Sequence, residues 1–410
     1  MHKNIKIAIL TTARSDFGLL KRVIRHAAAR FKVDLLVAGS HFLHSRGETI
    51  HEIEREFSTY PDIKIVPFNA MDEAATPAAQ VNTLAHTQLL ASSWFESNSY
   101  DLMLFLGDRW ELWGVTLAAF MHGIPLAHIS GGEITEGVID DCVRHAHTKI
   151  SGLHFAATTD YARNLSLMGE EDWRISVVGE CGLDQIHDAE MASPEEVRAK
   201  FGVDLSRDII LVTFHPSTLE YQTPVSEQIG TLLKALSAFA KHQIVFTAPG
   251  VEQGSETVLE AIRQYIAQHT NAILVEHFGS RNYLAVMKKS KVVVGNSSSG
   301  LVEASSLGVP AINVGQRQKN RLAADSVQHV SYSDSEIRAA IERALTADYQ
   351  HHARTCPNPY DPYRDGQNSM RIVDALEHAL TDLPRERLRV KKFDTRVAPA
   401  EWNYLLKERA

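Results

Sequence analysis

A dense group of polar residues follows the apolar run Leu126–Ile129 and could carry acid–base chemistry. Carboxylates that converge on one site raise one another's pKa, and a proton-abstracting base can be prepared at neutral pH in this way. Acids in the first turn of a helix, placed there for dipole reasons, would account for an aspartate pair but not for a glutamate preceded by two glycines. The group comprises Ser130, Gly131, Gly132, Glu133, Asp140, Asp141, Arg144 and His145.

The run Leu102–Leu106 also ends in charged residues, because Gly107, Asp108 and Arg109 follow it directly. Asp108 is a candidate catalytic carboxylate, and Arg109 is a candidate ligand of an anion. In the structural alternative, Asp108 caps the next helix with Arg109 as its salt-bridge partner, and capping does not exclude catalysis. The sequence leaves both interpretations open.

Arg14 follows the first apolar run within the segment Thr11–Gly18, and a helix is expected from Leu19. The segment lacks the glycine pattern of a dinucleotide-binding loop. An arginine at the carboxyl end of a strand can hold a phosphate or carboxylate through two hydrogen bonds. A surface arginine that caps a neighbouring loop is the alternative.

The clearest candidate for an anion site is the segment Gly295–Gly300, in which three consecutive serines lie between glycines. Backbone N–H groups at a helix start, together with hydroxyls, form a phosphate cradle. A polar turn with a serine cap is the alternative, but one cap does not need three serines. Ser297 and Ser298 are the candidate ligands. Glu303 could accept the hydroxyls of a ribose, and Arg317 adds a cation downstream.

His215 ends another apolar run, Ile209–Phe214. A lone histidine is usually structural. This one lies beyond a strand end, where ligands of open α/β sheets bind, and it is therefore a further candidate.

The elements that position these residues follow a βα rhythm, with short β-branched runs between longer amphipathic stretches. Continuous apolar strands suit a parallel sheet that is covered on both faces. The predicted strands of a first series are Lys6–Leu10, Val33–Ala38, Leu102–Leu106, Leu126–Ile129, His154–Ala156 and Ile175–Val178. Those of a second series are Ile209–Phe214, Gln243–Thr247, Ala272–Val275, Lys291–Val294 and Ala311–Val314.

A charged segment without a strand pattern, Asp184–Leu205, separates the two series and marks a domain boundary. The predicted fold class is α/β, with two Rossmann-like doubly wound domains facing across a cleft. The predicted domains are residues 1–184, which hold the candidate acids, and residues 185–375, which hold the anion site. Residues 376–410 form a mildly basic extension whose aromatic residues we expect to pack back on the body, with a nucleic-acid arm as the alternative.

Composition excludes several other classes of protein. With 410 residues, 44% of them hydrophobic and 22% charged, the chain is expected to fold into two or three globular domains. A formal net charge of −8 gives no general attraction to nucleic acid. The N-terminus lacks a secretory pattern and the apolar stretches are too short to span a membrane, so a cytoplasmic location is expected. Three widely spaced cysteines and scattered histidines predict no metal site.

Taken together, these motifs resemble the hydrolysing UDP-N-acetylglucosamine 2-epimerase family, which feeds sialic-acid-type nonulosonic acid synthesis and includes a bacterial branch acting on UDP-N,N'-diacetylbacillosamine. The resemblance covers most of residues 5–325, and several ordered motifs over that length make it specific. The motifs are Thr12-Ala13-Arg14, Gly107-Asp108-Arg109, Gly131-Gly132-Glu133, the run from Asp140 to Lys149, Gly295-Asn296-Ser297-Ser298 and Gly315-Gln316-Arg317.

The resemblance implies a glycosyltransferase-B-like fold, a UDP-sugar substrate and a homodimer or homotetramer. The implied reaction removes the C-2 proton and expels UDP from C-1 to leave a 2-acetamidoglycal, and water then adds with C-2 inverted. The implied ligands of UDP are Ser297, Ser298, Glu303, Arg317, Arg14 and Arg109. The implied catalytic positions are Asp108, Asp140 and His215, with Arg144 at a motif arginine. No motif requires a nicotinamide, flavin or metal cofactor.

Ser130 departs from the family pattern, since members acting on UDP-N-acetylglucosamine can carry a glutamate at this position. A serine cannot act as a carboxylate base. Either Glu133 or Asp108 supplies that role or the substrate differs, and we favour a modified sugar such as a 4-acetamido-6-deoxy one. Acid and base duties among Asp108, Glu133 and Asp140 are left open.

Three other functions are compatible with the same fold and anion site. A UDP-sugar glycosyltransferase would share them but would gain nothing obvious from the acid cluster. A non-hydrolysing 2-epimerase would return UDP to the glycal. A sensor would bind the nucleotide sugar without turnover.

Overall fold

The chain divides into two compact units in the computed structural model, which describes residues 4–44, 47–72, 74, 76–135, 139–187, 191–217, 222–249 and 254–393. Unit 1 holds Met1–Glu133, Cys142–Val178 and Met370–Ala410, and unit 2 holds Ile134–Asp141 and Gly179–Ser369. The chain thus leaves unit 1 a few residues before the boundary expected from the sequence and returns to it at Met370.

Unit 1 contains a parallel sheet of seven strands in the order β3-β2-β1-β4-β5-β6-β7. The strands are β1 (Lys6–Thr11), β2 (Lys32–Val37), β3 (Ile63–Pro67), β4 (Leu102–Leu106), β5 (Leu126–Ile129), β6 (Leu153–Ala156) and β7 (Ile175–Val177). The helices that follow them are α1 (Arg14–Ala28), α2 (Ile50–Phe57), α3 (Pro77–Ser97), α4 (Leu112–Met121), α5 (Ile139–Ile150) and α6 (Thr159–Leu167). Because β1, β4 and β5 are adjacent, their carboxyl ends meet at one edge.

Unit 2 contains a parallel sheet of six strands in the order β10-β9-β8-β11-β12-β13. The strands are β8 (Ile209–Thr213), β9 (Gln243–Thr247), β10 (Ala272–Val275), β11 (Ser290–Gly295), β12 (Ala311–Val314) and β13 (Val327–Val330). The helices of unit 2 are α7 (Pro194–Phe201), α8 (Val225–Leu236), α9 (Ser255–Gln268), α10 (Ser280–Lys289), α11 (Glu303–Ser306), α12 (Asp334–Ala344) and α13 (Ala347–Thr355). Helix α14 (Asn368–Asp382) begins at the end of unit 2 and continues in unit 1, which also holds α15 (Arg385–Arg389). The doubly wound α/β architecture predicted from the βα rhythm is confirmed.

Two strands, β3 and β13, were not predicted from the sequence. Both lie at the edge of their sheet, and both are only partly buried. An edge strand needs no continuous apolar run because part of its surface faces solvent, so the pattern used for the other strands fails there.

The prediction that a helix begins at Leu19 is wrong, because α1 begins at Arg14. The cause is Asp16, whose buried carboxylate accepts hydrogen bonds from the backbone N–H of Thr12 at 2.8 Å and of Ala13 at 2.7 Å. These bonds fix the turn between β1 and α1. Arg14 therefore lies in the first turn of a helix instead of in an extended loop.

Asp184 fixes the start of α14. Its carboxylate is fully buried and accepts hydrogen bonds from the backbone N–H groups of Asn368 at 2.9 Å and Ser369 at 2.7 Å. The side chain of Asn368 donates in turn to the carbonyl oxygen of Glu180 at 3.0 Å. Two segments almost two hundred residues apart in the sequence are joined at this point.

The segment after α14 is anchored within unit 1 by Arg174, whose side chain is 1% exposed. Its guanidinium donates to the carbonyl oxygens of Arg387 at 2.9 Å and Val390 at 2.8 Å. The aromatic residues expected to pack back, Trp402 and Tyr404, lie outside the described residues. Among the residues that are described, no helix has the length and apolarity needed to cross a membrane.

Candidate active site

Arg144 joins two of the candidate acid segments in unit 1. Its side chain, on α5, is 4% exposed and forms an ion pair with Asp108, the second residue after β4. It also donates to the carbonyl oxygen of Glu133 at 3.0 Å. Arg109, the salt-bridge partner of Asp108 in the structural alternative, donates to Glu111 at 2.5 Å. The ion pair with a buried guanidinium fixes the position of the Asp108 carboxylate.

A tight turn carries the chain from β5 to Glu133. Ser130 has φ +64°, which is uncommon for a residue with a side chain, and Gly132 has φ +79°. A Cβ on Gly132 would lie 2.2 Å from the carbonyl oxygen of Tyr161, so only glycine fits. The turn leaves the side chain of Glu133 with 4% of its surface exposed, next to the segment that Arg144 holds.

Helix α5 supplies the remaining acids of this group. Asp140 lies one helical turn before Arg144. Asp141 accepts a hydrogen bond from the backbone N–H of Thr135 at 2.6 Å and so ties the preceding loop to the helix. Residues 136–138 lie outside the described residues.

The two other candidate cations of unit 1 are each matched by a carboxylate. Arg14, half-exposed, pairs with Glu52 at 3.2 Å. Arg109 pairs with the buried Glu111 and lies close enough to His41 to help burial lower the pKa of that imidazole to about 4. A phosphate that recruits either arginine would therefore compete with a carboxylate.

The anion cradle of unit 2 begins where β11 approaches β8 most closely. Gly295 has φ +143°, and a Cβ there would lie 2.0 Å from the carbonyl oxygen of Thr213. The Ser297 hydroxyl accepts hydrogen bonds from the backbone N–H of Ser299 at 3.4 Å and from its hydroxyl at 3.1 Å. A short 3-10 helix at Ser298–Gly300 and then α11 follow, as expected of a helix-start site.

A chain of partly buried hydroxyls continues from Ser299 of the cradle. Thr247 donates to Thr213 at 2.9 Å, Thr213 lies 3.2 Å from the hydroxyl of Tyr283, and Tyr283 lies 2.8 Å from the hydroxyl of Ser299. Burial raises the pKa of Tyr283 to about 12, so the phenol stays protonated and can donate. The sequence analysis missed Tyr283, since an aromatic residue on an amphipathic helix carries no signal beyond core packing.

Asn296 links the two flanks of the cradle. Its fully buried side chain accepts from the backbone N–H of His215 at 2.7 Å and donates to the His215 carbonyl oxygen at 2.8 Å. The backbone carbonyl oxygen of Asn296 accepts hydrogen bonds from the side chains of Arg317 at 3.3 Å and Gln318 at 2.9 Å. Burial and then the positive charge of Arg317 lower the pKa of His215 to about 4, so its imidazole is neutral at pH 7.

Glu303 begins α11. Burial raises its pKa, and the charge of Arg321 opposes that effect only in part. The pKa of Glu180 is also raised, mainly by burial and in addition by repulsion from Glu303. A buried carboxyl group such as that of Glu303 is suited to hydrogen bonding with the hydroxyls of a ligand. A pocket of about 390 Å³ opens beside this region and is lined by residues that include Gln316 and Arg321.

The candidate residues thus fall into two sets. Unit 1 gathers Asp108, Glu133 and Arg144 around one ion pair, with Arg14 and Arg109 paired separately. Unit 2 gathers Ser297, Ser298, Arg317 and His215 around Asn296, with Glu303 at the start of α11. Within the described ranges, no group of three or more His, Cys, Asp or Glu side chains could hold a metal ion.

Comparisons with known proteins show the family to which the chain belongs. A family profile described as UDP-N-acetylglucosamine 2-epimerase matches residues 24–377. The polysialic acid biosynthesis protein P7 of Escherichia coli is 33% identical over 380 residues, which cover 90% of this chain and 93% of that protein. The UDP-N,N'-diacetylbacillosamine 2-epimerase (hydrolyzing) of Legionella pneumophila is 30% identical over 375 residues, which cover 91% of this chain and 95% of that protein.

Among solved structures, the UDP-GlcNAc 2-epimerase from Neisseria meningitidis bound to UDP-GlcNAc is similar in fold, with a TM-score of 0.76 and 18% identity. The match covers 91% of this chain and 100% of that one. The likeness confirms the glycosyltransferase-B-like fold that the sequence resemblance implied.

Proposed function

Since the chain belongs to the UDP-N-acetylglucosamine 2-epimerase family, we propose that it is a hydrolysing 2-epimerase of a UDP-2-acetamido sugar. The structural observation that carries the proposal is the buried Arg144, which holds the Asp108 carboxylate and the Glu133 backbone in one arrangement. The similar protein from Legionella pneumophila is named as a hydrolysing enzyme of this kind.

The proposed reaction has two steps. A carboxylate removes the C-2 proton while the bond between C-1 and the UDP oxygen breaks, and the electron pair of that bond leaves with UDP. Water then adds to the resulting 2-acetamidoglycal, with its oxygen bonding C-1 and a proton reaching C-2 from the opposite face. Asp108, positioned by its ion pair with Arg144, is suited to accept the proton, and Glu133 and Asp140 share the remaining acid and base duties.

The leaving UDP is proposed to bind at the cradle of unit 2. The hydroxyls of Ser297 and Ser298, the backbone N–H groups after them and the guanidinium of Arg317 are donors suited to a diphosphate. The neutral imidazole of His215 can donate one N–H to a phosphate oxygen. Glu303 would bind the ribose, and Arg14 and Arg109 of unit 1 would assist with UDP.

UDP-N,N'-diacetylbacillosamine is the substrate we favour over UDP-N-acetylglucosamine. The name of the Legionella protein supports this choice. Ser130 supports it too, because a small neutral side chain at the tight turn takes the place of a glutamate that members acting on UDP-N-acetylglucosamine can carry. The product would be a free manno-configured sugar for sialic- or legionaminic-type synthesis, made in the cytoplasm.

A proton NMR time course in deuterated water, run separately with each of the two UDP-sugars, tests the proposal. Free UDP together with a C-2-deuterated manno-configured sugar is the expected result, and the faster substrate identifies the preferred sugar. A UDP-linked epimer without free UDP would instead mark a non-hydrolysing epimerase. If UDP binds but both UDP-sugars stay intact, the result would instead favour a glycosyltransferase that needs an acceptor, or a sensor.

A homodimer or homotetramer also belongs to the proposal. Its support is an apolar surface on two helices of unit 1 that pack against each other, where Leu89 of α3 is 67% exposed and Met121 of α4 is 74% exposed. Large apolar side chains that are exposed in the single chain are candidates for burial on association. Light scattering after size-exclusion chromatography should give a multiple of 45.6 kDa. The Leu89→Glu, Met121→Glu double variant should shift toward the monomer, whereas a monomeric native chain would contradict the proposal.

A further inference from the structure

His128 lies in β5 between two loops that carry candidate catalytic residues. Its side chain is fully buried, and its Nε2 lies 2.8 Å from the carbonyl oxygen of Gly107, the residue before Asp108. A carbonyl oxygen can only accept a hydrogen bond. The hydrogen therefore resides on Nε2, and Nδ1 of this neutral imidazole carries the lone pair.

The opposite edge of the same ring supports the second loop. A Cβ built on Gly131 would lie 3.2 Å from Nδ1 of His128, so the backbone at Gly131 packs directly on the imidazole. From there the chain passes through Gly132, which α6 holds closely, to Glu133. Within the part of the chain that the structure describes, Nδ1 of His128 has no hydrogen-bond partner. The Nδ1 side of the ring therefore supports Gly131 by van der Waals contact.

The ring itself cannot readily move or titrate. It stacks on Phe105 of β4 with ring centroids 4.8 Å apart and an angle of 15° between the planes. Burial, and secondarily the neighbouring imidazole of His147, lowers the pKa of His128 well below its usual value. Protonation of Nδ1 is thereby suppressed, so the imidazole is neutral and its hydrogen lies on Nε2, facing the carbonyl oxygen of Gly107.

We infer that His128 is a positioning residue, which sets the separation between the Asp108 loop and the Glu133 loop through its hydrogen bond to Gly107 and its contact with Gly131. The inference rests on the proposed function, because it assigns both loops to one reaction. His128 does not reach the reacting atoms. It acts on Asp108 through the backbone, and a displacement of about 1 Å at a catalytic group can cost roughly 100-fold in rate.

His147 provides a matched control for the alternative that His128 only fills the core. It is also fully buried, stacks on Trp113 at 4.6 Å and is tilted against the same Phe105 at 5.0 Å. Its Nε2 lies 3.0 Å from the hydroxyl of Thr116, within the helical layer, so its hydrogen bond does not involve the Gly107 carbonyl.

The test compares His128→Gln with His128→Asn. The amide nitrogen of glutamine can reach the position of Nε2 and donate to Gly107, whereas the shorter asparagine reaches only as far as Nδ1. For His128→Asn we expect kcat for UDP release to fall by about 100-fold, with KM and the affinity for UDP little changed. His128→Gln should recover most of that loss. His147→Asn should lower Tm comparably but keep kcat near the native value below its Tm.

Equal losses in both His128 variants, or losses that simply follow Tm as in His147→Asn, would overturn the positioning role. Native kcat in His128→Asn would overturn it as well. Failure of the proposed function is distinguishable, since the native protein itself would then release no UDP from either sugar. Nitrogen-15 NMR of the imidazole supplies an independent readout, and a hydrogen on Nδ1 instead of Nε2 would also contradict the inference.

Discussion

The candidate residues of unit 1 are mainly charged side chains paired with opposite charges, whereas those of unit 2 are mainly neutral hydrogen-bonding groups. In unit 1 Asp108 pairs with Arg144, Arg109 with Glu111 and Arg14 with Glu52. In unit 2 the cradle consists of hydroxyls, backbone N–H groups and amides around Asn296, with Arg317 as its cation and a neutral His215. Proton transfer needs charges that are set before the substrate arrives, whereas a diphosphate brings its own charge and needs donors.

Removing the central carboxylate of unit 1 should have the largest effect. Asp108→Asn keeps the shape of the side chain but cannot accept the C-2 proton, so kcat for UDP release should fall by about 10³-fold. The affinity for UDP, measured by calorimetry, should stay near the native value because the cradle lies in unit 2. Asp141→Asn is the matched control, since that carboxylate bonds a backbone N–H. A similar fall in kcat in Asp108→Asn and Asp141→Asn would contradict the assignment of proton transfer to Asp108.

Acid should destabilise unit 2 through His215. The folded pKa of about 4 lies below the usual 6.5, so the stability that the neutral imidazole contributes is present above pH 6.5 and is lost as the pH falls toward 4. His215→Gln should remove roughly 2 kcal/mol of the difference in unfolding free energy between pH 8 and pH 5.

Urea unfolding followed by circular dichroism measures this difference, with the exposed His51→Gln as control. Tryptophan fluorescence reports unit 1 separately, because the residues assigned to unit 2 include no tryptophan. A change seen only by fluorescence would assign the pH dependence to unit 1 instead.

Tyr283→Phe should have a smaller effect on binding. The substitution removes the hydroxyl that lies between Thr213 and Ser299, and one buried hydrogen bond of this kind contributes about 1 kcal/mol. We expect KM for the UDP-sugar to rise up to about 10-fold with little change in kcat. Tyr349→Phe, at a buried tyrosine of α13 in the hydrophobic core of unit 2, should leave both constants unchanged. A fall in kcat alone would place the hydroxyl in the chemistry instead of the cradle.

The smallest expected effect concerns the pairing of Arg14. Glu52→Gln removes the competing carboxylate, and exposed ion pairs contribute at most about 1 kcal/mol, so KM should decrease only about 2-fold. Glu56→Gln, on the same helix but bonded to Lys21 and Arg25, is the control. An unchanged KM in Glu52→Gln would separate Arg14 from UDP binding and leave Arg109 as the candidate UDP ligand of unit 1.

Sequence patterns predicted the interior strands well and the partners of the site residues poorly. Central strands such as β4 and β9 are fully or largely buried, so their apolar runs specify them directly. Asp108 instead meets Arg144, 36 residues away, and this pairing depends on how β4 and α5 are placed. Asn296 belongs to a motif recognised in the sequence. Its hydrogen bond with His215 joins residues 81 positions apart and is not predictable from the sequence pattern. Local propensity carries no information about such long-range contacts.

Asp184 has a practical consequence for dividing this chain. A fragment of unit 2 that stops before Asn368 would keep a fully buried carboxylate and lose both backbone donors that satisfy it. An isolated fragment of unit 2 should therefore be soluble and folded only if it extends through Ser369, and its C-terminal limit is decided by two hydrogen bonds and not by the last strand.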